Sequence, residues 1–295
     1  MPERDQRQQA GILHPARSQE RIDVGRAEPS AGLAPYVDYF WWVTWQAPQP
    51  HRQEVIPRGV VHVSAEIHAG EPRLLVHGVH RTRFERVLAG EGRTVAAAFR
   101  PGGFRPFLRS DVSALCDREV PAADLVGVDD KAAAARLLDS SVPVHEAVAV
   151  LAAWLEGLRP EPDPMVDRLA ALVEQVEVDS SLTRAEEVAS LAGVSLRTLQ
   201  RQFAAYVGIG PKWVVQRCRL LDVAVAAHTD ARVDWAALAA DLGYADQSHL
   251  IRAFTAFVGH PPATYAAGRS RRPGSGQAPA PSCSRSDTAV GSSIR

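Results

Sequence analysis

Two arginines, Arg201 and Arg252, occupy the same register of a repeated stretch. Phe203, Ala205, Tyr206, Val207, Gly208 and Pro211 follow the first, and Phe254, Ala256, Phe257, Val258, Gly259 and Pro262 follow the second. A guanidinium is a planar fork of donors that fits a guanine edge or a phosphate, and such a base contact is worth about 1–3 kcal/mol of discrimination. The alternative is an arginine tied to a neighbouring carboxylate. Arg197, Thr198 and Gln200 precede the first arginine, and Gln247, Ser248 and His249 precede the second. Their spacing places them on the polar face of a helix, where they are the next candidates to touch base edges. Ser195 and Asp246 stand at the starts of those helices and read as caps, with phosphate contact as a second role.

Other chemistry is thinner. His62, His68, His77 and His80, with Glu66, invite a metal site, but the tight His-x-His spacing with a downstream glutamate and histidine is missing. Ordinary polar strand residues, and no metal, are expected there. Trp41, Trp42 and Trp45 could line an apolar ligand pocket, though core packing is the simpler expectation. No nucleophile–base pair, phosphate-binding loop or dinucleotide fingerprint occurs, so neither catalytic residues nor a cofactor are expected.

The elements that must position the arginines form a unit present twice. Val188-Ala189 followed by Gly193 matches Leu238-Ala239 followed by Gly243, with one extra residue, Ala245, in the second copy. Two matched copies make chance similarity a poor explanation. Each reads as helix, glycine turn, helix. Thr183 with Glu186 has capping-box spacing, Ala189 is small enough for a close helix crossing, and Gly193 suits the positive φ that ends a helix. Leu196, Leu199 and Phe203 form the apolar face of the second helix, as Leu250 and Phe254 do in the other copy. Between the copies, Pro211 to about His228 predicts one continuous helix. This is the helix-turn-helix pattern, whose second helix enters a DNA major groove.

Gly243-Tyr244-Ala245-Asp246-Gln247-Ser248-His249-Leu250-Ile251-Arg252-Ala253-Phe254, with Gly259 to Tyr265 after it, closely resembles the DNA-binding domain of AraC/XylS-type transcription regulators. The resemblance covers roughly residues 165–268. Leu250 departs from it, standing where the family usually has Phe, and so does the connecting helix with its Val223, Ala226 and Ala227. It implies double-stranded DNA and RNA polymerase as partners, activation rather than repression, a small-molecule effector, and pairing of two copies.

Composition sets limits on this reading. The 295 residues leave room for two domains, and 46% hydrophobic with 23% charged residues is ordinary globular usage. No run approaches the length needed to span a bilayer, and the first residues lack the apolar core of a secretory signal. Cys116, Cys218 and Cys283 lie far apart, which suits a reducing cytoplasm and no zinc framework. Net charge is −1, and Met165 to Arg269 holds ten Lys/Arg against eleven Asp/Glu. A diffuse basic field is therefore absent, and attraction to phosphates must come from placed arginines and helix N-termini.

The remaining chain reads in order. Residues 1–20 are polar and expected to be disordered, as is the tail 269–295. Residues 21–127 alternate short apolar runs (Tyr36–Trp45, Gln53–Ile56, Val60–Ile67, Arg73–Val79, Phe84–Leu88, Thr94–Phe99) with turn residues. They predict a small antiparallel barrel or sandwich, similar to the sensor half of many AraC-type regulators. Leu33–Trp45 also has helical spacing at its start. Within 128–160, Asp130–Asp139 and Pro143–Leu158 read as helices, the second either packing on its own sheet or pairing two copies. Arg159-Pro160-Glu161-Pro162-Asp163-Pro164 reads as a stiff spacer, with Asp163 capping the helix that follows.

The expectation is thus an α+β chain. It has an N-terminal antiparallel β-barrel or sandwich sensor, linker helices, and an all-α domain (165–268) with helix-turn-helix units at 183–207 and 234–258. The competing reading is a metal- or ligand-dependent, cupin-like enzyme domain with an appended helical module.

Overall fold

The computed structural model describes residues 21–55, 57–229 and 233–265. The expectations for residues 1–20 and 269–295 lie outside these.

Six strands form one antiparallel sheet: β1 Arg21–Ala27, β2 Val37–Val55, β3 His62–His68, β4 Glu71–His77, β5 Phe84–Phe99 and β6 Glu119–Pro121, in the order β1-β2-β5-β3-β4-β6. The backbone of β3 reverses into β4 through Ala69 and Gly70, both with positive φ (50° and 82°), as a two-residue hairpin turn demands. Leu33 to Tyr36 forms a hydrogen-bonded turn, and the strand begins only at Val37.

Two differences from the sequence reading concern the long hairpin. Tyr36–Trp45 and Gln53–Ile56 are expected as separate runs, as are Phe84–Leu88 and Thr94–Phe99. The structure joins the first pair into β2 and the second into β5. Pro48 and Pro50, which cannot donate to a ladder, lie in the first interruption. They fall where the register shifts between Ala47 and His51, so β2 bulges instead of ending. The first strand, Arg21–Ala27, is not among the expected runs, because Ile22 and Val24 are its only large apolar residues. Gly25 is required by a tryptophan: an added Cβ would lie 2.0 Å from the Trp42 ring, which covers it from the neighbouring strand.

One face of the sheet packs on α1 Ala122–Val126, α2 Lys131–Leu138 and α3 Val144–Gly157. Ala134, Leu137, Ala147, Leu151 and Leu155 are fully buried there, so α3 covers its own sheet. Asp130 is also fully buried, accepting from Arg73 Nε (2.8 Å) and Leu74 N (3.1 Å). Arg93 reaches from β5 to the end of α2 and donates to the carbonyls of Leu137 (2.8 Å), Val142 (2.6 Å) and Asp139. A cation at the negative end of a helix dipole is favourable there.

The helical half consists of α4 Pro164–Val178, α5 Ala185–Leu191, α6 Leu196–Gln202, α7 Pro211–Thr229, α8 Trp235–Asp241 and α9 Gln247–Val258. Asp163 caps α4 at Met165 N, as expected. The segment read as a spacer does not hold the halves apart. Pro160 O accepts from Tyr36 Oη (3.2 Å) and Asp163 Oδ2 from Tyr206 Oη (2.7 Å), which ties it to both sides. One cluster of buried apolar side chains accordingly runs from Leu33 of the sheet half, through Leu199 and Phe203, to Cys218 in α7. A second cluster begins at Leu220 and ends at Tyr265. Among the described residues, no helix is long and apolar enough to cross a membrane.

Candidate nucleic-acid interface and the cavity behind it

The turns of the two helix-turn-helix copies are closed by the same hydrogen bond. Val194 N bonds to Ala189 O (3.1 Å) and Tyr244 N to Ala239 O (2.8 Å), the six-residue closure of a helix ended by a left-handed glycine. That glycine is Gly193 (φ 66°) in one copy and Gly243 (φ 68°) in the other. Ala189 and Ala239 are buried beneath the crossing helices. Leu199 and Phe203 are fully buried in the first unit, Leu250 and Phe254 in the second. Gly208 (φ 90°) and Gly259 (φ 91°) end the second helices. The second helices end differently: Phe203–Val207 continues α6 as a π-helical turn, whereas α9 stays α-helical to Val258.

The caps differ in part from expectation. Ser195 Oγ accepts from Thr198 N (3.2 Å) and Asp246 Oδ1 from His249 N (2.7 Å). Thr183 with Glu186 does not form the first cap. Glu187 reaches back to the amides of Thr183 (2.7 Å) and Arg184 (2.9 Å), because the helix begins at Ala185, later than the spacing suggested. Asp246→Ala is expected to cost about 1 kcal/mol in thermal unfolding, the typical value of such a cap. The folded variant should bind DNA at least as well, since a carboxylate near phosphates is lost. Weaker binding at unchanged stability would instead make Asp246 a contact residue.

Arg197, Gln200 and Arg201 on α6 are exposed, as are Gln247, Ser248, His249 and Arg252 on α9. Thr198 is half-buried, with its hydroxyl 2.9 Å from Ser195 Oγ. Among the described residues, no carboxylate pairs with Arg201 or Arg252. The connecting helix α7 is anchored to the sheet half: Arg217 Nε donates to Pro57 O (2.6 Å) and Trp213 Nε1 to Arg81 O (3.3 Å).

Behind this anchor lies a cavity of about 890 Å³ on the other face of the sheet. Residues of β1, β2, β3 and β5 line it, with His77 at the end of β4. Trp41 and Trp45 line the cavity, while Trp42 packs on the opposite, core face. The helical wall comes from α4 (Glu174, Glu177, Val178) and α7 (Arg217, Cys218, Leu221). Its polar floor is a connected set. Ser64 Oγ lies 2.8 Å from both Glu66 Oε1 and His77 Nε2, and Glu66 Oε1 is 2.9 Å from the same ring nitrogen. Arg86 pairs with Glu66 from the rim.

Of the residues considered for a metal, His77 and His80 meet here, with Glu66 bonded to His77 on its other side. His68 is exposed at the hairpin turn, and His62 accepts from Trp41 Nε1 (3.2 Å). Burial, with His77 and Arg58 nearby, pushes the His62 imidazole down to about 3, so it stays neutral at ordinary pH. Burial also works against charge on His77, but Glu119 and Glu66 beside it outweigh that and raise it. In return the His77 ring, with Arg86 behind it, draws the Glu119 carboxyl down to about 2. Sequence reasoning missed Glu119. Only the pairing of β6 with β4 places it opposite His77, and no spacing in the chain announces that.

Two exposed recognition-type helices, each on an identically built turn, define a DNA-binding protein of the double helix-turn-helix class. Residues 188–268 match the family described as "Helix-turn-helix domain", and the chain is a transcription regulator with an AraC-type helix-turn-helix domain. Residues 25–121 match a family described as "Domain of unknown function (DUF6597)". No curated protein gives a significant match. Among solved structures, ToxT from Vibrio cholerae is 10% identical, with a TM-score of 0.39 over 84% of this chain and 98% of that one. ToxT bound to (E)-4-(8-methylnaphthalen-1-yl)but-3-enoic acid gives 10% identity and a TM-score of 0.36 over 84% and 98%. Its unsaturated-fatty-acid-bound form gives 11% and 0.34 over 86% and 97%.

Proposed function

We propose that this regulator is a cytoplasmic activator that reads two neighbouring major-groove segments of double-stranded DNA. Arg197, Thr198, Gln200 and Arg201 face one segment and Gln247, Ser248, His249 and Arg252 the other. The supporting observation is the pair of matched, solvent-facing helices at the two ends of α7. Nineteen residues at about 1.5 Å give roughly 28 Å, which with the flanking turns suits segments about one duplex turn, some 34 Å, apart. A small molecule in the cavity controls the reading. It would touch α7 at Arg217, Cys218 and Leu221, where one buried cluster gives way to the next. An effector acts only through its different affinity for two states, and a shift in α7 is a change that both recognition helices would feel. RNA polymerase is the downstream partner, and the chain catalyses no reaction. A homodimer would use a face other than the buried side of α3.

Selection of bound fragments from genomic DNA, followed by footprinting, tests this reading. Two protected patches about one turn apart are expected, and a single short patch would rule the reading out. For the cavity, a metabolite screen by thermal shift should find a compound that raises the midpoint. Val43→Trp, which fills space in the cavity wall, should abolish that shift while preserving operator binding.

A further inference from the structure

We propose that His77, His80 and Glu119 bind a divalent transition-metal ion, of the zinc class, at the edge of the cavity. One donor atom from each of the three lies within 4.8 Å of the others, the sole such group of histidines, cysteines and carboxylates among the described residues. Zinc bonds of about 2.0–2.1 Å place tetrahedral ligands roughly 3.3 Å apart. The cluster therefore needs closure of at most about 1.5 Å, within reach of a loop histidine and an exposed glutamate.

The state of His77 points the same way. Its side chain is 8% exposed, and its Nε2 faces Glu66 Oε1 and Ser64 Oγ. Its other ring nitrogen, Nδ1, faces Glu119. That atom is buried without a hydrogen-bond partner and stands 3.4 Å from Glu119 Oε1. A positive charge belongs between that nitrogen and the carboxylate: without a metal it is the second proton of the ring, and a metal ion would displace that proton. His80 Nε2 is likewise buried without a partner. A ring nitrogen free for a metal, with the other held by a carboxylate, is the usual arrangement of a ligating histidine, in which the outer carboxylate fixes ring and tautomer.

The charges agree. Glu119 and Glu66 carry two negative charges, and Arg86 answers them from 3.8 Å of Glu119 and by pairing with Glu66. Two neutral imidazoles and one carboxylate form a borderline-soft set suited to zinc rather than to magnesium or calcium. Three protein ligands leave a fourth position for water or for a donor atom of a molecule in the cavity, which His77 and His80 both line.

The probe is Co2+ added to metal-free full-length protein, followed by its visible absorption. One equivalent per chain should develop ligand-field bands of a low-coordinate site, and Zn2+ should bleach them. His80→Ala and Glu119→Gln should each lose the bands at unchanged thermal midpoint of the metal-free protein. Glu66→Gln should weaken binding by about 10–100-fold. His68→Ala, at an exposed histidine, should change nothing. Absence of the bands, or bands that survive His80→Ala and Glu119→Gln, overturns the proposal. If the single variants disturb folding, calorimetric titration of wild-type protein with Zn2+ decides the matter: no stoichiometric uptake overturns it.

Discussion

Alanine at both Arg201 and Arg252 is expected to lower affinity for the selected operator at least about 30-fold. Each base contact is worth about 1–3 kcal/mol, so the two sum to about 2–6 kcal/mol, with tenfold per 1.4 kcal/mol. Both side chains are exposed and, among the described residues, without a carboxylate partner, so the loss should not be diluted by broken internal ion pairs. The near balance of ten basic against eleven acidic residues between Met165 and Arg269 sharpens the effect, because no diffuse field compensates. Anisotropy titrations over a salt series give the role of each arginine. A base reader changes sequence preference at constant salt slope, whereas a phosphate contact lowers the slope by about one. Unchanged affinity and slope would remove both arginines from the interface.

The duplicated unit was legible because its constraints are local. A left-handed glycine, a small residue under a helix crossing and a Leu–Phe pair one turn apart each leave a mark in the letters. Gly193 and Gly243 took almost the same φ from sequences that otherwise differ widely. What was hidden depends on distant partners. The helices of 128–160 were found from periodicity, but periodicity does not say that Asp130 sits under Arg73 instead of capping its own helix. Tyr36–Trp45 and Gln53–Ile56 looked like separate strands because the bulge that joins them leaves no local signature. The Pro-rich segment before α4 looked like a spacer because the hydroxyls of Tyr36 and Tyr206 that hold it come from far along the chain. Glu119 could not be joined to His77 without the β4–β6 ladder. Side chains on one helix face are readable, and clusters assembled across a sheet are not.

The division of the buried side chains into two clusters predicts two unlike responses to one substitution. Phe203→Ala and Phe254→Ala each remove a fully buried ring at the same register, and each is expected to cost about 3–5 kcal/mol. Phe203 belongs to the cluster that includes Leu33, Phe99 and Val112, and the turn after it is pinned where Gly208 meets Val112. Its loss should therefore weaken hydrogen-exchange protection in the sheet half as well as in α5 and α6. Phe254 belongs to the cluster that begins at Leu220 and is tied back mainly through Trp213, whose ring meets Phe257 edge-on at 6.1 Å. Its loss should open α8 and α9 alone, by local unfolding, and leave the sheet protected. In a footprint, Phe254→Ala should erase one patch and keep the other, whereas Phe203→Ala should weaken both. Equal loss of protection across the chain in both variants would mean one cooperative unit. A cavity ligand touching α7 at the seam between clusters would then have no separate half to move.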